Sequence, residues 1–190
     1  MSRQHSLDVV CFESRLGWMA LVGSNGIVKQ VFIGHGSEPA TLAAVERRFG
    51  GGTCETNWCP SLVRRLKEYA AGKRVEFADV EIDLSELTSF QRRVVKHCRA
   101  IVYGDTRSYG ELARLSGSPR AARAVGTTMA INHFALIVPC HRVVKSGGGL
   151  GGFSAPQGPQ MKARLLAMER REPVARLAKR PATRPRKAAC

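Results

Sequence analysis

Apolar positions in the first half of the chain follow a strand-like pattern. Gly17-Trp18-Met19-Ala20-Leu21-Val22 and Ile27-Val28-Lys29-Gln30-Val31-Phe32-Ile33 are two β-prone runs on either side of Ser24-Asn25-Gly26. An Asn-Gly pair between such runs predicts a tight hairpin. Ala40 to Phe49 then reads as a helix stopped by Gly50-Gly51-Gly52. A second helix is predicted over Ser61 to Ala71, with Leu62, Leu66 and Tyr69 on one face and Gly72 past its end. Val80-Glu81-Ile82-Asp83-Leu84 alternates as a short strand would.

The periodicity then changes. Phe90, Val94, Val95, Cys98, Ile101 and Val102 recur at helical spacing up to Gly104, predicting an amphipathic helix. Ser108 suits an N-cap for a short helix from Tyr109 to Leu115, broken by Gly117. Ser118-Pro119 predicts a new start, with a helix from Pro119 to about Ala130. Two short helices around a tight glycine-containing turn make a helix-turn-helix. Phe134-Ala135-Leu136-Ile137-Val138 reads as a strand leading into Pro139-Cys140-His141-Arg142, and a glycine-rich loop follows from Gly147 to Pro156. Met161 to Arg170 is predicted as a closing helix carrying Leu165, Leu166 and Met168.

Composition narrows the classes. At 44% hydrophobic and 24% charged residues, the 190-residue chain is globular in character. No apolar run is long enough to span a bilayer, and the polar N-terminus lacks the apolar core of a secretory signal, so a cytoplasmic location is expected. The six cysteines are scattered, and free thiols are their expected state in a reducing compartment. A net charge of +15 points to a polyanion, either nucleic acid or an anionic membrane surface. Residues 171–190, rich in Pro, Ala, Lys and Arg, supply six of those net charges and read as a disordered basic tail, so the remainder is basic too.

Two features carry candidate chemistry. The second helix of the helix-turn-helix presents Ala121, Ala122, Ala124 and Gly126, followed by Thr127, with Arg123 among them. Such a small-residue face suits a shallow minor groove that is not read for sequence, with Arg123 able to enter the base stack; equally, the alanines could pack on the preceding helix. Cys140 could be a small core residue. Pro139 fixes the backbone beside it, while His141 and Arg142 could favour the thiolate that attack on carbon requires. On a strand, Cys140 and His141 would point to opposite faces, so direct contact is not assured and a water could bridge them. Cys54 and Cys59 fall within metal-pair spacing, but no second pair accompanies them; loop cysteines and no metal are expected.

Pro139-Cys140-His141-Arg142-Val143, together with Ser108-Tyr109-Gly110-Glu111-Leu112-Ala113 and Ala121-Ala122-Arg123-Ala124-Val125-Gly126, resembles the O6-alkylguanine-DNA alkyltransferase family in motif order and spacing. The resemblance implies a mixed α/β fold of the α+β kind. A β-rich ribonuclease H-like domain would span residues 1–85 and a mostly helical, winged-helix-like DNA-binding and alkyltransferase domain residues 86–170, before the tail at 171–190. It also implies a single-turnover repair enzyme, without cofactor, that takes the alkyl group from O6-alkylguanine, and less directly from O4-alkylthymine, after flipping the base out of double-stranded DNA. Cys140 would accept the alkyl group. His141 would draw off its proton through water, with Glu169 orienting the ring, and Tyr109 would donate to the leaving base. Arg123 would fill the gap in the stack, with Ala121, Ala122, Ala124, Gly126 and Thr127 against the groove. Asn132 would brace the active-site turn, Phe153 and Ser154 would wall the pocket, and backbone at Cys140 and Val143 would accept from the guanine amino group. A monomer with no membrane partner is expected, nucleoid-associated when bound to DNA. The chain departs from the family pattern at His133, usually proline, at Phe153, often tyrosine, and at Ala155-Pro156-Gln157-Gly158, about two residues longer than usual.

Overall fold

A computed structural model describes residues 7–50 and 53–171, the side chains of residues 53–55 and 171 excepted. The expected basic tail, the N-terminal segment and most of the glycine stop after Phe49 lie outside the described residues. Four strands form one sheet in the order β3-β2-β1-β4: β1 Leu7–Ser14, β2 Gly17–Ser24, β3 Ile27–His35 and β4 Thr53–Glu55. β1, β2 and β3 run antiparallel, and β4 pairs parallel with β1. The hairpin turn is the predicted one, with Asn25 and Gly26 both at positive φ (51° and 79°), as a primed turn demands.

The two faces of this sheet bury different partners, as the period of two requires. Ala20 and Val22 join Val9 and Val45 in a small core under α1 (Glu38–Phe49). Met19 and Leu21 face the main core, which also holds Leu62, Leu66 and Tyr69 of α2 (Pro60–Ala70). That same core continues without a break through Val94, Val95 and Cys98 of α3 (Ser89–Arg99) to Val138, Cys140 and Leu165. Apolar packing therefore runs across the sequence boundary near residue 85.

β5 (Arg107–Ser108) and α4 (Tyr109–Leu115) open the helix-turn-helix. Ser108 caps α4 in a full capping box: its hydroxyl accepts from Glu111 N at 3.1 Å, and Glu111 reaches back to Ser108 N at 2.7 Å. β6 (Val143–Val144) pairs parallel with β5, and α6 (Gly158–Arg171) closes the chain.

Several expectations need correction. β1 was not anticipated. α3 ends at Arg99, so Val102 lies beyond it and is 50% exposed. The second helix of the pair, α5 (Ala122–Ala130), begins after the Ser118-Pro119 turn, and its N-cap Ala121 offers no side-chain acceptor. Val80–Leu84 contributes only a single bridge, Ile82 to Val28, and Phe134 only one to Val31. These two bridges cover the outer edge of β3, which would otherwise expose unpaired backbone groups. The run before Cys140 is a turn, with Leu136 at φ 72°, rather than a strand. Cys59, expected as a free thiol, is disulfide-bonded.

Candidate active site

Cys140 opens a short 3-10 turn, Cys140–Arg142, not a strand. Adjacent residues in such a turn are not forced to opposite faces, so the alternation expected for Cys140 and His141 does not apply. Both are buried, Cys140 at 6% and His141 at 0% exposure. Cys140 lies at a cavity of about 370 Å³ whose other walls include Asn132, Ala135, Phe153 and Ser154 from the second half and His35 and Arg47 from the first.

Asn132 holds this corner. Its amide nitrogen donates to Val138 O at 3.0 Å and to Cys140 Sγ at 3.1 Å, while its carbonyl accepts from Phe134 N at 3.1 Å. The brace expected of Asn132 thus extends to the thiol itself. Burial pushes the Cys140 thiol above its ordinary range, and Asn132 and the Lys162 ammonium pull it back.

Behind the thiol lies a buried polar cluster. His141 Nε2 is 3.0 Å from Glu169 Oε1 and 3.1 Å from the Tyr69 hydroxyl. Tyr69 donates to the same Glu169 oxygen at 2.5 Å. Arg142 grips the carboxylate through Nε at 3.0 Å to Oε2 and Nη2 at 2.8 Å to Oε1, and Gly104 N donates to Oε2 at 3.1 Å. Burial opposes the Glu169 charge, but His141 and Arg142 outweigh it and hold its carboxyl well below the usual range. Burial lowers His141 below the ordinary imidazole range, against the pull of Glu169 and with help from Arg142 and Lys162. The ring is therefore neutral at rest, and its Nδ1, also buried, has no hydrogen-bond partner among the described residues.

His141 and Glu169, which the family resemblance brings together, are in contact here, and two further buried polar residues near them were not anticipated. Arg142, expected to act on the thiol, spends its guanidinium on Glu169 and on Ile101 O at 2.6 Å. The cation near Cys140 is instead Lys162, fully buried, donating to Val143 O at 2.6 Å and to the Tyr109 hydroxyl at 3.4 Å. Tyr69, supplied by α2, is the other. A signal existed for Lys162: it shares an i, i+3, i+4, i+7 stripe with Leu165, Leu166 and Glu169, placing two charged residues on the apolar face of α6.

Tyr109 and Val143 do not line the cavity at Cys140. Tyr109 packs against the glycine loop, where a Cβ on Gly151 would meet its hydroxyl at 2.5 Å; glycine is required there both for that approach and for φ 71°. Ser154 bonds Ala130 O, tying the loop to α5. On α5, Arg123, Ala124 and Thr127 are exposed, Ala121, Ala122 and Gly126 half-buried, and Val125, Thr128 and Met129 turned into the core. Among the described residues no group of three or more His, Cys, Asp or Glu is placed to hold a metal, and no helix is long and apolar enough to cross a membrane.

Residues 89–171 match the family described as the 6-O-methylguanine DNA methyltransferase DNA-binding domain. A methylated-DNA–protein-cysteine methyltransferase of Mycobacterium tuberculosis is 43% identical over 143 residues, spanning 72% of this chain and 83% of that protein. The constitutive enzyme of that name from Bacillus subtilis is 40% identical over 108 residues, 56% of this chain and 63% of its own. Among solved structures, the O6-methylguanine methyltransferase of M. tuberculosis superposes with a TM-score of 0.73 at 35% identity, covering 90% of this chain and 97% of that one. The same bacterium's OGT in complex with DNA gives 0.72 at 35% identity, over 86% and 92% of the two chains. A mixed α/β fold with Cys140 buried at a cavity, and His141 bonded to Glu169 behind it, places the chain among the cysteine-accepting DNA methyltransferases just described. The chain belongs to the methylated-DNA–protein-cysteine methyltransferase family.

Proposed function

We propose that the protein repairs DNA by moving the alkyl group of O6-alkylguanine, and less readily of O4-alkylthymine, onto Cys140, once per molecule. The observation that carries this is a buried thiol at a cavity of about 370 Å³, with Asn132 donating to its sulfur and a neutral histidine adjacent in the chain. The relatives' names and the DNA complex of the M. tuberculosis protein support double-stranded DNA with alkylated guanine as the partner.

The exposed Arg123, Ala124 and Thr127 face of α5 would lie in the minor groove, with Ala121, Ala122 and Gly126 behind it, and Arg123 would replace the extruded nucleotide. His141 Nδ1 takes the thiol proton through water while Nε2 stays bonded to Glu169. Sγ then attacks the alkyl carbon: the S–C bond forms, the C–O6 bond breaks, and its electron pair stays on the purine. The proton held by His141 balances that charge when it returns to guanine. Because Lys162 donates to the Tyr109 oxygen, the Tyr109 proton is left for the leaving base. The products are guanine and a thioether, so the balance calls for no cofactor and offers no route back to the thiol. Phe153 and Ser154 would wall the alkyl group; backbone at Cys140 and Val143 would accept from the guanine amino group, Val143 O while also holding Lys162.

In this reading residues 1–85 would serve as a scaffold and 86–170 as the DNA-binding and transfer unit, the protein acting as a monomer at the nucleoid. Incubation with a duplex holding one O6-methylguanine, followed by intact-mass measurement, tests the chemistry. A stoichiometric gain of one methyl group that Cys140→Ala abolishes is expected. Tight binding of the lesion with no gain in mass would replace the proposal with a lesion-binding module.

A further inference from the structure

Tyr69 lies in the first half of the chain, outside the segment that resembles the transferase motifs, yet its hydroxyl reaches the centre of the buried cluster. It is fully buried on α2, and its ring meets Tyr103 and Phe77 edge to face at 6.0 and 5.9 Å. Its hydroxyl sits 2.5 Å from Glu169 Oε1 and 3.1 Å from His141 Nε2. A phenol has one proton to donate. Glu169, held ionised by Arg142, can only accept, so the Tyr69 proton goes to the carboxylate and its lone pairs face Nε2. Two acceptors, Tyr69 Oη and Glu169 Oε1, then converge on one ring nitrogen, and that nitrogen must carry hydrogen.

We propose that Tyr69 is a positioning residue for alkyl transfer: its hydroxyl, with Glu169, cradles the Nε2–H of His141 and so leaves Nδ1 as the nitrogen that serves Cys140. The assignment rests on the function proposed above and adds to it a requirement for the first half of the chain. A wrong histidine tautomer leaves geometry intact and still disables a base. Tyr69 has a second effect. By donating to Glu169 it spreads the carboxylate charge, which Arg142 and Gly104 N also share, and so limits how strongly Glu169 draws a proton onto His141. The charged and titratable groups around this ring are Glu169 and Lys162 of α6, Arg142 and Cys140 of the same turn, Tyr69 of α2 and, edge-on to Tyr69 and beneath the Arg142 guanidinium, Tyr103. Burial and Glu169 keep the Tyr69 phenol protonated far above neutral pH, so it remains a donor throughout.

The test is single-turnover methyl transfer by the full chain, wild type and Tyr69→Phe, from an O6-methylguanine duplex across pH. The phenylalanine keeps the ring packing and removes only the hydroxyl. The expected result is an unchanged affinity for the duplex and a rate about tenfold lower, part of the ~10²–10⁴-fold that a positioned base contributes. The acid limb of the rate profile should also move to higher pH, because Glu169 has one donor fewer. A wild-type rate with an unshifted limb in Tyr69→Phe overturns the proposal, and so does a slower rate with an unshifted limb, which would mark a packing role alone. If the variant does not fold, ring ¹⁵N shifts of His141 in the wild type decide: hydrogen on Nε2 upholds the proposal and hydrogen on Nδ1 overturns it. A wild-type chain that takes up no methyl group would instead sink the transfer reaction itself.

Discussion

Asn132 and Cys140 stand eight residues apart in the chain and 3.1 Å apart in space, joined by an N–H donor aimed at sulfur. The same side chain closes the intervening turn through Val138 O and Phe134 N. One residue therefore both shapes the loop that carries the nucleophile and stabilises its ionised form.

Replacing it separates these roles. Asn132→Leu should lower stability by about 1–3 kcal/mol, since Val138 O and Phe134 N lose a partner in a largely buried turn. It should also push the thiol further up, because burial then acts with one opposing donor fewer. Iodoacetamide labelling of Cys140, followed by intact mass against pH, is expected to shift to higher pH in the variant. An unshifted labelling curve would show that Asn132 only shapes the turn.

Lys162 offers a cleaner electrostatic change. Its ammonium is buried among the Val143 carbonyl, the Tyr109 hydroxyl and the Cys140 field, and burial lowers its own pKa. In Lys162→Gln, which keeps an N–H donor without the charge, the Cys140 thiolate loses its nearby cation. Transfer at neutral pH should slow by about tenfold, the equivalent of roughly one pKa unit, and recover toward wild type as pH is raised. A pH-independent loss would place the role of Lys162 in holding Tyr109 and the loop instead.

Much of this was legible before the structure, and the gaps have physical causes. The hairpin and the N-cap at Ser108 rest on local rules, and the pairing of His141 with Glu169 on the family resemblance. β1 escaped because Val9 and Phe12, its buried residues, are three apart, and the half-buried Val10 and Cys11 between them obscure the alternation. Val80–Leu84 does alternate, but pairing depends on a distant partner, and only Ile82 finds one. Tyr69 was placed correctly on the buried face of α2, yet nothing local reveals that its hydroxyl meets residues 72 and 100 positions away.

The Glu169 carboxylate ties stability to pH. Its folded pKa is depressed, since His141 and Arg142 outweigh burial, so it stabilises the fold fully above its unfolded value of about 4.3. That contribution is lost progressively as pH falls through and below that value. Urea midpoints taken from about pH 7 down to about pH 3 should therefore fall steeply for the wild type. Glu169→Gln, which strands the buried Arg142 charge, should start about 3–5 kcal/mol less stable and lose less over the same range. Parallel curves would mean that other carboxylates dominate acid unfolding.

Arg123 tests the DNA step apart from the chemistry. It is exposed on α5, and among the described residues no hydrogen bond or ion pair joins its side chain to Cys140 or His141. If it fills the space of a flipped nucleotide, it offsets part of the few kcal/mol that extrusion costs, and Arg123→Ala should slow repair of duplex by on the order of tenfold or more. Transfer from a free alkylated base such as O6-benzylguanine needs no extrusion and should keep its wild-type rate in the same variant. Salt dependence divides the effect further: losing one phosphate contact would reduce the slope of log affinity against log salt by about one, whereas a residue acting inside the stack leaves that slope nearly intact. Equal slowing on duplex and free base would move Arg123 from base extrusion to the structure of α5, and intact-mass time courses on both substrates decide between the two.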